Sequence, residues 1–390
     1  MFTSMRFWII SFVIALPCLF LQPAYACTAA DDNYIHENFT NGAQWSMCWE
    51  FNDDEGIYLT DITYTPPDSN TPFRVINEVN IAQIFVPYDN GQDRFHDVTT
   101  YSFGDGIIAI KPQNCANGKL TTVSTMYEDI RGLCQRKVLD TTINSVIGTP
   151  STSEHLLLFS SHQVGAYNYI PEWKFYNNGM IEFAIGATGA LETIVNIHNN
   201  PDREKKYRKL GWKIDNKTVG VSHVHNYFWR IDFALGDNEN DDIVKIVQYK
   251  KQGNKIIAKW RDVVVESRFN NKAENNRGWL IQENANSNKS YHVQPGDSGH
   301  RFVGIKKKEA FTRNDLYITK DVACERYASQ NYACNNKKQL SDFVQSSASI
   351  ENKDIVVWYS LSLHHIPRGE ESPEMDMHRN SFKLIPKNLY

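Results

Sequence analysis

The sequence has 390 residues, of which 41% are hydrophobic and 22% are charged, and its formal net charge is -4 with a pI near 6.3. This is an ordinary globular composition, which excludes a disordered, collagen-like or fibrous chain. No basic patch stands out, so nucleic acid is not expected as a partner.

The N-terminus has the pattern of an export signal. Arg6 precedes an apolar run at 7–21, and Ala24-Tyr25-Ala26 fits a small-x-small cleavage site. We therefore predict a signal peptide at 1–26 and an exported protein, periplasmic or extracellular. The apolar run is short for a membrane span and no second run follows, so no membrane association is expected after cleavage. Lipoprotein processing at Cys27 stays open as an alternative, which the large Tyr25 disfavours.

The cysteines support export. An even number remains after the signal, and in an exported chain this indicates disulfides. The sequence cannot choose among the pairings, and the simplest joins neighbours along the chain. That pairing is Cys27 with Cys48, Cys115 with Cys134, and Cys324 with Cys334.

Strand-like runs dominate the rest of the chain. Residues 27–75 are polar and are predicted to form an N-terminal extension. Further on, Tyr169–Tyr176 and Met180–Gly186 flank Asn-Asn-Gly, which is a strong hairpin signal. We predict a mainly β fold, with one large β-sandwich domain over residues 76–390.

Two histidines lie two residues apart in the segment Val221–Phe233. Alternate residues of a strand point to the same face, so His223 and His225 can converge on one metal ion. Neutral imidazole suits copper, zinc, iron and nickel. The simpler alternative is that the two histidines are unrelated polar residues on a half-buried strand.

The segment Asp354–Arg368 offers the best third ligand. In its strand alternation His365 shares a face with Ile355, Val357 and other apolar residues, whereas His364 points the other way. We therefore expect His365, and not His364, to join the pair. Spacing alone does not fix which metal binds.

Two segments carry a resemblance to a known family. Asp354–Arg368, followed by Pro373-Glu-Met375, resembles the C-terminal copper-ligand segment of the copper amine oxidases, which has Asp, apolar residues, Trp-Tyr, then His-(apolar)-Pro-Arg and Pro-x-Met. Val221–Asp232 resembles the His-x-His strand of that family. The resemblance covers roughly residues 76–390. It implies the β-sandwich of the copper amine oxidase catalytic domain and a homodimer.

The same resemblance assigns copper as the metal and His223, His225 and His365 as its ligands. It also implies a peripheral calcium or manganese site. Asp232 and Asp354 match two of the family's acidic ligands there, and Ala234 replaces a third. Because a hard cation prefers several oxygens, this change is expected to weaken binding. The plain alternative is that both aspartates are surface residues at strand ends.

The segment Val164–Trp173 resembles the family motif around the tyrosine that copper and dioxygen convert to topaquinone. Tyr167 falls at that tyrosine and is therefore the implied topaquinone precursor. The family has Asn before it and an acid after it, whereas this chain has Ala166 and Asn168. Both neighbours of the tyrosine therefore differ from those of the family motif. The alternative is a buried strand tyrosine.

A third resemblance concerns the family's catalytic base, an aspartate that takes a proton from the α-carbon of the substrate. A gap-free match from Val86-Pro-Tyr88 places Tyr88 on the tyrosine that contacts the quinone and Ser102 on the base position. A serine hydroxyl is not a general base at neutral pH unaided. Asp97 or Asp105 could substitute if the local backbone differs.

The resemblance implies a copper-dependent primary amine oxidase, which converts a primary amine, dioxygen and water to an aldehyde, ammonia and hydrogen peroxide. A second interpretation is a non-catalytic exported copper-binding protein on the same scaffold, favoured by Ala166, Asn168 and Ser102. A third is an exported β-sandwich that binds a protein or glycan without a metal, against which the histidine pattern argues.

Overall fold

The computed structural model describes residues 27–143, 150–271, 277–296, 306–334 and 337–389, and the predicted signal peptide lies outside them. Strands dominate this part of the chain, and the two α-helices found there are short. The first eleven strands are β1 (Tyr34–Asn38), β2 (Gln44–Asn52), β3 (Gly56–Thr65), β4 (Phe73–Pro87), β5 (Arg94–His96), β6 (Lys119–Ser124), β7 (Asp129–Ile143), β8 (Pro150–Phe159), β9 (His162–Val164), β10 (Tyr167–Tyr176) and β11 (Ile181–Gly189).

The second half of the chain continues the same pattern. The remaining strands are β12 (Ile194–Asn196), β13 (Gly211–Lys213), β14 (Thr218–Val221), β15 (His223–Phe233), β16 (Ile243–Gln252), β17 (Lys255–Val263), β18 (Ser267–Phe269), β19 (Arg277–Gln282), β20 (Ser290–Gln294), β21 (Leu316–Lys320), β22 (Ile355–His365) and β23 (Met375–Lys387). The helices are α1 (Pro201–Tyr207) and α2 (Leu340–Phe343).

Two large antiparallel sheets and one small sheet contain these strands. The nine-stranded sheet has the order β1-β2-β3-β4-β15-β22-β21-β18, with β5 against β4. The eleven-stranded sheet has the order β17-β16-β19-β20-β23-β11-β10-β8-β7-β6, with β9 against β10. Strands β12, β14 and β13 form the small sheet. The prediction of a mainly β fold is confirmed.

The two large sheets face each other across one apolar core, as in a β-sandwich. Trp229 of β15 meets Trp173 of β10 edge to face, with ring centroids 5.9 Å apart. It also stacks on Phe183 of β11 at 5.2 Å. These residues are fully buried and belong to the largest hydrophobic cluster. Cross-sheet aromatic packing therefore fixes β15 against β10, the two strands that carry the candidate site.

Strand β15 is buried along its whole length, since β4 and β22 pair with its two edges and both of its faces are covered. Its odd-numbered side chains, such as Trp229, enter the core between the sheets. Phe228 points to the outer face, where Phe311 and Phe343 cover it. The predicted alternation along this strand is confirmed.

The N-terminal segment differs from the predicted boundary at residue 75. Strands β1 to β3 extend the nine-stranded sheet, and β4 runs continuously across that boundary. Leu59, Ile62 and Tyr64 of β3 are fully buried, whereas the polar residues between them are only partly covered. Residues 27–75 are polar because their strands bury only one apolar face and leave polar side chains on the other.

Three disulfides join the cysteine pairs that were predicted as neighbours along the chain, with Cα–Cα distances of 5.9, 5.8 and 5.1 Å. Each closes a short loop, which on a chain-entropy account stabilises the fold by about 3 kcal/mol. The predicted hairpin is also confirmed, since β10 pairs with β11. Gly179 adopts the positive φ of 84° that its turn requires.

Candidate metal centre and adjoining cavity

Three histidines meet at one end of the sandwich core. His223 and His225 begin β15, and His365 ends the neighbouring strand β22. In the antiparallel register His223 lies directly opposite His365. Because alternate side chains share a face, both residues and His225 point inward, while His364 points outward towards Asp89. The structure thus brings together the three histidines that the sequence singled out.

The ring nitrogens of this triad lie within 4.8 Å of one another, and the three side chains are buried. Nε2 of His223 lies 3.2 Å from Nδ1 of His365. Nε2 of His225 is buried without a hydrogen-bond partner in the described part of the chain. A buried polar atom without a partner is costly. A metal ion bound by all three rings would remove that cost.

Hydrogen bonds fix which nitrogen of each ring can bind a metal. Nδ1 of His223 donates to the Val221 carbonyl at 2.9 Å, and Nε2 of His365 donates to Oε2 of Glu371 at 3.0 Å. These hydrogen bonds place the protons on Nδ1 of His223 and on Nε2 of His365. The lone pairs then lie on Nε2 of His223 and Nδ1 of His365, the two atoms that face each other.

The protonation state of the triad also suits a metal. Burial, together with the neighbouring His365, lowers the pKa of His223 to about 3. Burial likewise lowers the pKa of His225 and of His365. The rings are therefore neutral near pH 7. Neutral imidazoles fit copper, zinc, iron or nickel, and the donor set by itself does not select one of them.

Tyr167 lies directly beside the triad. Its hydroxyl oxygen is 2.7 Å from Nε2 of His223 and 3.2 Å from Nδ1 of His365. Burial raises the pKa of the Tyr167 hydroxyl far above its usual value, so the side chain is neutral. Tyr88 stacks on the His223 ring with centroids 4.3 Å apart and hydrogen-bonds Tyr167. Both tyrosines that the sequence singled out are therefore in the site.

A cavity of about 110 Å³ opens on the other side of Tyr167. Val86, Phe95 and Val164 give it apolar walls. Two carboxylates, Asp97 and Glu192, also line it. A small organic molecule in this cavity would contact Tyr167 in a mostly apolar setting.

Asp97 is the buried one of these two carboxylates, whereas Glu192 is exposed. The Tyr169 hydroxyl donates to its Oδ2 at 2.9 Å and lies 3.2 Å from Nδ1 of His225. Burial raises the pKa of Asp97 to about 7, although the hydrogen bond from Tyr169 lowers it. Tyr169 is not among the site residues predicted from the sequence. The alternation of strand side chains could have identified it, because Tyr167 and Tyr169 share one face of a strand.

Ser102, which the gap-free match placed at the base position, is not among the residues that line the cavity. The backbone amide of Asp97 donates to Ile84 and holds its side chain against the site. The chain then turns away at Ser102, where φ is 48° and the carbonyl accepts from the Asp105 amide. Asp105 is exposed beside Asp53, so it is also outside the cavity.

The residues that flank Tyr167 occupy different surroundings. Asn168 faces the outer side of the eleven-stranded sheet, where it lines a separate groove. The backbone amide of Ala166 donates to Oε2 of Glu192 at 2.6 Å. The side chain at 168 therefore points away from the Tyr167 ring, whereas Ala166 contacts Glu192, a residue that lines the cavity.

Asp232 and Asp354 lie together near the opposite end of β15. Their side chains are in hydrogen-bond contact, and burial together with this contact raises the pKa of Asp354 to about 8. Burial raises the pKa of Asp232 to about 6, although Arg230 lowers it. No third carboxylate or histidine within the described ranges lies close enough to complete a three-ligand group with them. The pair fits a weakly held hard cation better than a tight one.

None of the helices in the described residues is long and apolar enough to span a membrane.

A model of the enzyme domain of copper amine oxidase matches residues 113–390. A primary amine oxidase of Pisum sativum is 23% identical over 399 residues, which are 91% of this chain and 59% of the relative. Primary amine oxidase 2 of Arabidopsis thaliana is 24% identical over 409 residues, which are 95% of this chain and 60% of the relative. The chain thus spans about three fifths of the length of these relatives.

Solved structures show the same fold. A copper-containing benzylamine oxidase from Hansenula polymorpha superposes with a TM-score of 0.74 at 15% identity, covering 97% of this chain and 64% of that one. An Aspergillus nidulans amine oxidase gives a TM-score of 0.71 at 18% identity, covering 98% of this chain and 56% of that one.

Proposed function

Because the chain belongs to the copper amine oxidase family, we propose that it is a primary amine oxidase. It would convert a primary amine, dioxygen and water to an aldehyde, ammonia and hydrogen peroxide. One observation carries this proposal: the hydroxyl of Tyr167 contacts two of the three clustered histidines while its ring faces a small cavity that holds Asp97.

The residues present fit the groups that this chemistry needs. His223, His225 and His365 would hold copper, and a topaquinone made from Tyr167 would supply the carbonyl that accepts electrons from the amine. Tyr88 packs against His223 and hydrogen-bonds Tyr167, so it restricts the orientation of the ring at position 167. Val86, Phe95 and Val164 would contact the apolar part of the amine.

Asp97 is the residue that we propose as the base. It lines the cavity beside Tyr167, where the α-carbon of a bound amine would lie, and it is buried. A base acts best when its pKa is near the working pH, and burial brings the pKa of Asp97 to about 7. The Tyr169 hydroxyl donates to its carboxylate and so holds it in one orientation.

Cofactor formation provides the direct test. The chain is prepared without copper, Cu(II) is added in aerated buffer, and the visible spectrum is recorded with and without phenylhydrazine, a trap for carbonyl groups. We expect a new band that shifts with phenylhydrazine and is absent from Tyr167→Phe. Tyr176→Phe, a change on the same strand outside the site, serves as the control and keeps the band.

A second candidate function rests on the residues flanking Tyr167. Ala166 and Asn168 replace the amide and acid of the family motif. They favour a non-catalytic exported copper-binding protein that keeps the histidines and has lost the quinone chemistry. Copper binding at one ion per chain without a phenylhydrazine-sensitive band would support this second function and contradict the first.

We also propose export and self-association. The pattern of residues 1–26 supports a cleaved signal and a periplasmic or extracellular location.

The β16–β17 hairpin exposes Tyr249, Ile256 and Trp260, whose burial against a second copy would support a homodimer. Light scattering of the mature chain after size-exclusion chromatography tests the oligomeric state.

A further inference from the structure

Glu371 is a buried carboxylate next to the histidine triad. It ends a short 3-10 turn, Gly369–Glu371, six residues after His365, and only 1% of its surface is exposed. A buried carboxylate is stable only when its oxygens are hydrogen-bonded. The partners of Glu371 therefore indicate what holds it in place.

One oxygen of Glu371 binds the candidate metal ligand. Oε2 lies 3.0 Å from Nε2 of His365, whose Nδ1 lies 3.2 Å from Nε2 of His223. A neutral imidazole carries a single N–H. Because the carboxylate accepts that N–H at Nε2, the lone pair of His365 is held on Nδ1, the atom that faces the other histidines.

Other groups hold the carboxylate rigidly. The Arg368 backbone amide donates to Oε2 at 3.0 Å, and Nε of its side chain lies 3.6 Å from Oε1. Nε2 of His378, from strand β23, lies 3.2 Å from Oε1. Glu371 is thus fixed from its own loop and from the opposite sheet, so it can fix His365 in turn.

The donors of His365, Glu371 and His378 also lie within 4.8 Å of one another, so they form a second group with metal-binding chemistry. A metal ion cannot occupy this second group while His365 binds a metal in the three-histidine centre. When Nδ1 of His365 binds a metal, its Nε2 carries the proton and is a donor to Glu371, not a ligand. Glu371 and His378 therefore surround the three-histidine centre and support its ligand His365, and they do not form a separate site.

We infer that Glu371 is the positioning residue of the metal centre: through its hydrogen bond to Nε2 of His365 it sets the tautomer and the ring orientation that present Nδ1 to copper. The inference rests on the proposed function in so far as copper binds the triad. Removing such an outer partner typically weakens metal binding by about 10-fold to 100-fold.

The experiment compares Glu371→Gln with Glu370→Gln in the full mature chain. Both variants lose one negative charge at adjacent positions, but Glu370 is exposed, whereas Glu371 is buried against His365. The copper dissociation constant is measured by competition with a chromophoric chelator, and the Cu(II) EPR spectrum is recorded for each protein. Thermal unfolding of the copper-free proteins shows whether each is folded.

We expect Glu371→Gln to bind copper about 10-fold to 100-fold more weakly than wild type and to change the EPR parameters, and Glu371→Asp, which keeps a carboxylate, to recover part of the affinity. Glu370→Gln should match wild type. Equal affinity and equal spectra for Glu371→Gln and Glu370→Gln would overturn the role of Glu371. Absence of copper binding by the wild type would instead overturn the proposed function.

If Glu371→Gln does not fold, pulsed EPR of the copper-loaded wild type gives an independent test. It resolves the nitrogen of each bound imidazole that is remote from copper, whose signal depends on its hydrogen bond. A remote nitrogen bonded to a carboxylate, distinct from that of His223 bonded to a carbonyl, supports the inference. Remote nitrogens that are all alike contradict it.

Discussion

The hydroxyl oxygen of Tyr167 lies 2.7 Å from Nε2 of His223, although 56 residues separate the two along the chain. The same oxygen lies 3.2 Å from Nδ1 of His365. The phenol therefore lies between the cavity and the histidine nitrogens that would hold a metal ion. The metal centre and the cavity are thus one site with Tyr167 as the boundary between them.

The triad predicts a clear difference between two neighbouring histidines. His365→Ala removes one of three ligands, and we expect copper binding to weaken by about 100-fold, which is about 2.8 kcal/mol. His364→Ala should bind copper as wild type does, because its ring points towards Asp89. Isothermal titration with Cu(II) measures both. Equal losses would mean that strand register at this end differs from the one described.

Asp97 predicts the outcome of removing the base. Asp97→Asn should lower kcat by about 10²-fold to 10⁴-fold, because the amide cannot take the substrate proton. Ser102→Ala and Asp105→Asn should keep wild-type activity, since neither side chain lines the cavity. Oxygen uptake with a small primary amine measures all three. Loss of activity in Ser102→Ala alone would favour the gap-free match.

The pH dependence follows from the same carboxylate. Burial raises the pKa of Asp97 to about 7. A base must be ionised, so kcat/KM should rise as pH increases through about 7 and level off above it. The hydrogen bond from Tyr169 lowers that pKa, so Tyr169→Phe should move the midpoint to higher pH. A profile that is flat from pH 6 to pH 8 would exclude Asp97 as the base.

The aromatic contact between the sheets predicts a stability effect. Trp229→Ala should lower the free energy of unfolding by about 3–5 kcal/mol, because it opens a cavity among Trp173, Phe183 and their neighbours. Trp212→Ala should change it by less than about 0.5 kcal/mol, since Trp212 is 61% exposed. Urea unfolding followed by fluorescence separates the two expectations.

The pair formed by Asp232 and Asp354 predicts that calcium binds weakly and stabilises the protein. At pH 8, calcium should raise the melting temperature of wild type, and Asp354→Asn should abolish that rise. The pKa values of Asp232 and Asp354 are raised to about 6 and about 8, so protons should compete with calcium and the rise should disappear at pH 5. Asp262→Asn, which alters an exposed ion pair with Lys245, is the control. A calcium effect that survives in Asp354→Asn would place the cation elsewhere.

The sequence was sufficient for features that depend on strand alternation. The two-residue period identified the inward faces of β15 and β22, and therefore His223, His225 and His365. It was insufficient where the chain leaves regular strands. The position of Asp97 depends on how the backbone turns after β5, and the role of Glu371 depends on a turn that folds back onto His365. Neither turn has a periodic signal.

The register between β15 and β22 has a consequence for the order of events during maturation. His223 and His365, which are 142 residues apart along the chain, face each other only when β15 and β22 have paired, and a slip by one residue would replace His365 with His364. The His-x-His pair alone is an incomplete chelator. Binding of a metal by all three histidines must therefore follow the pairing of β15 with β22, and a chain in which these two strands are misaligned lacks the third ligand.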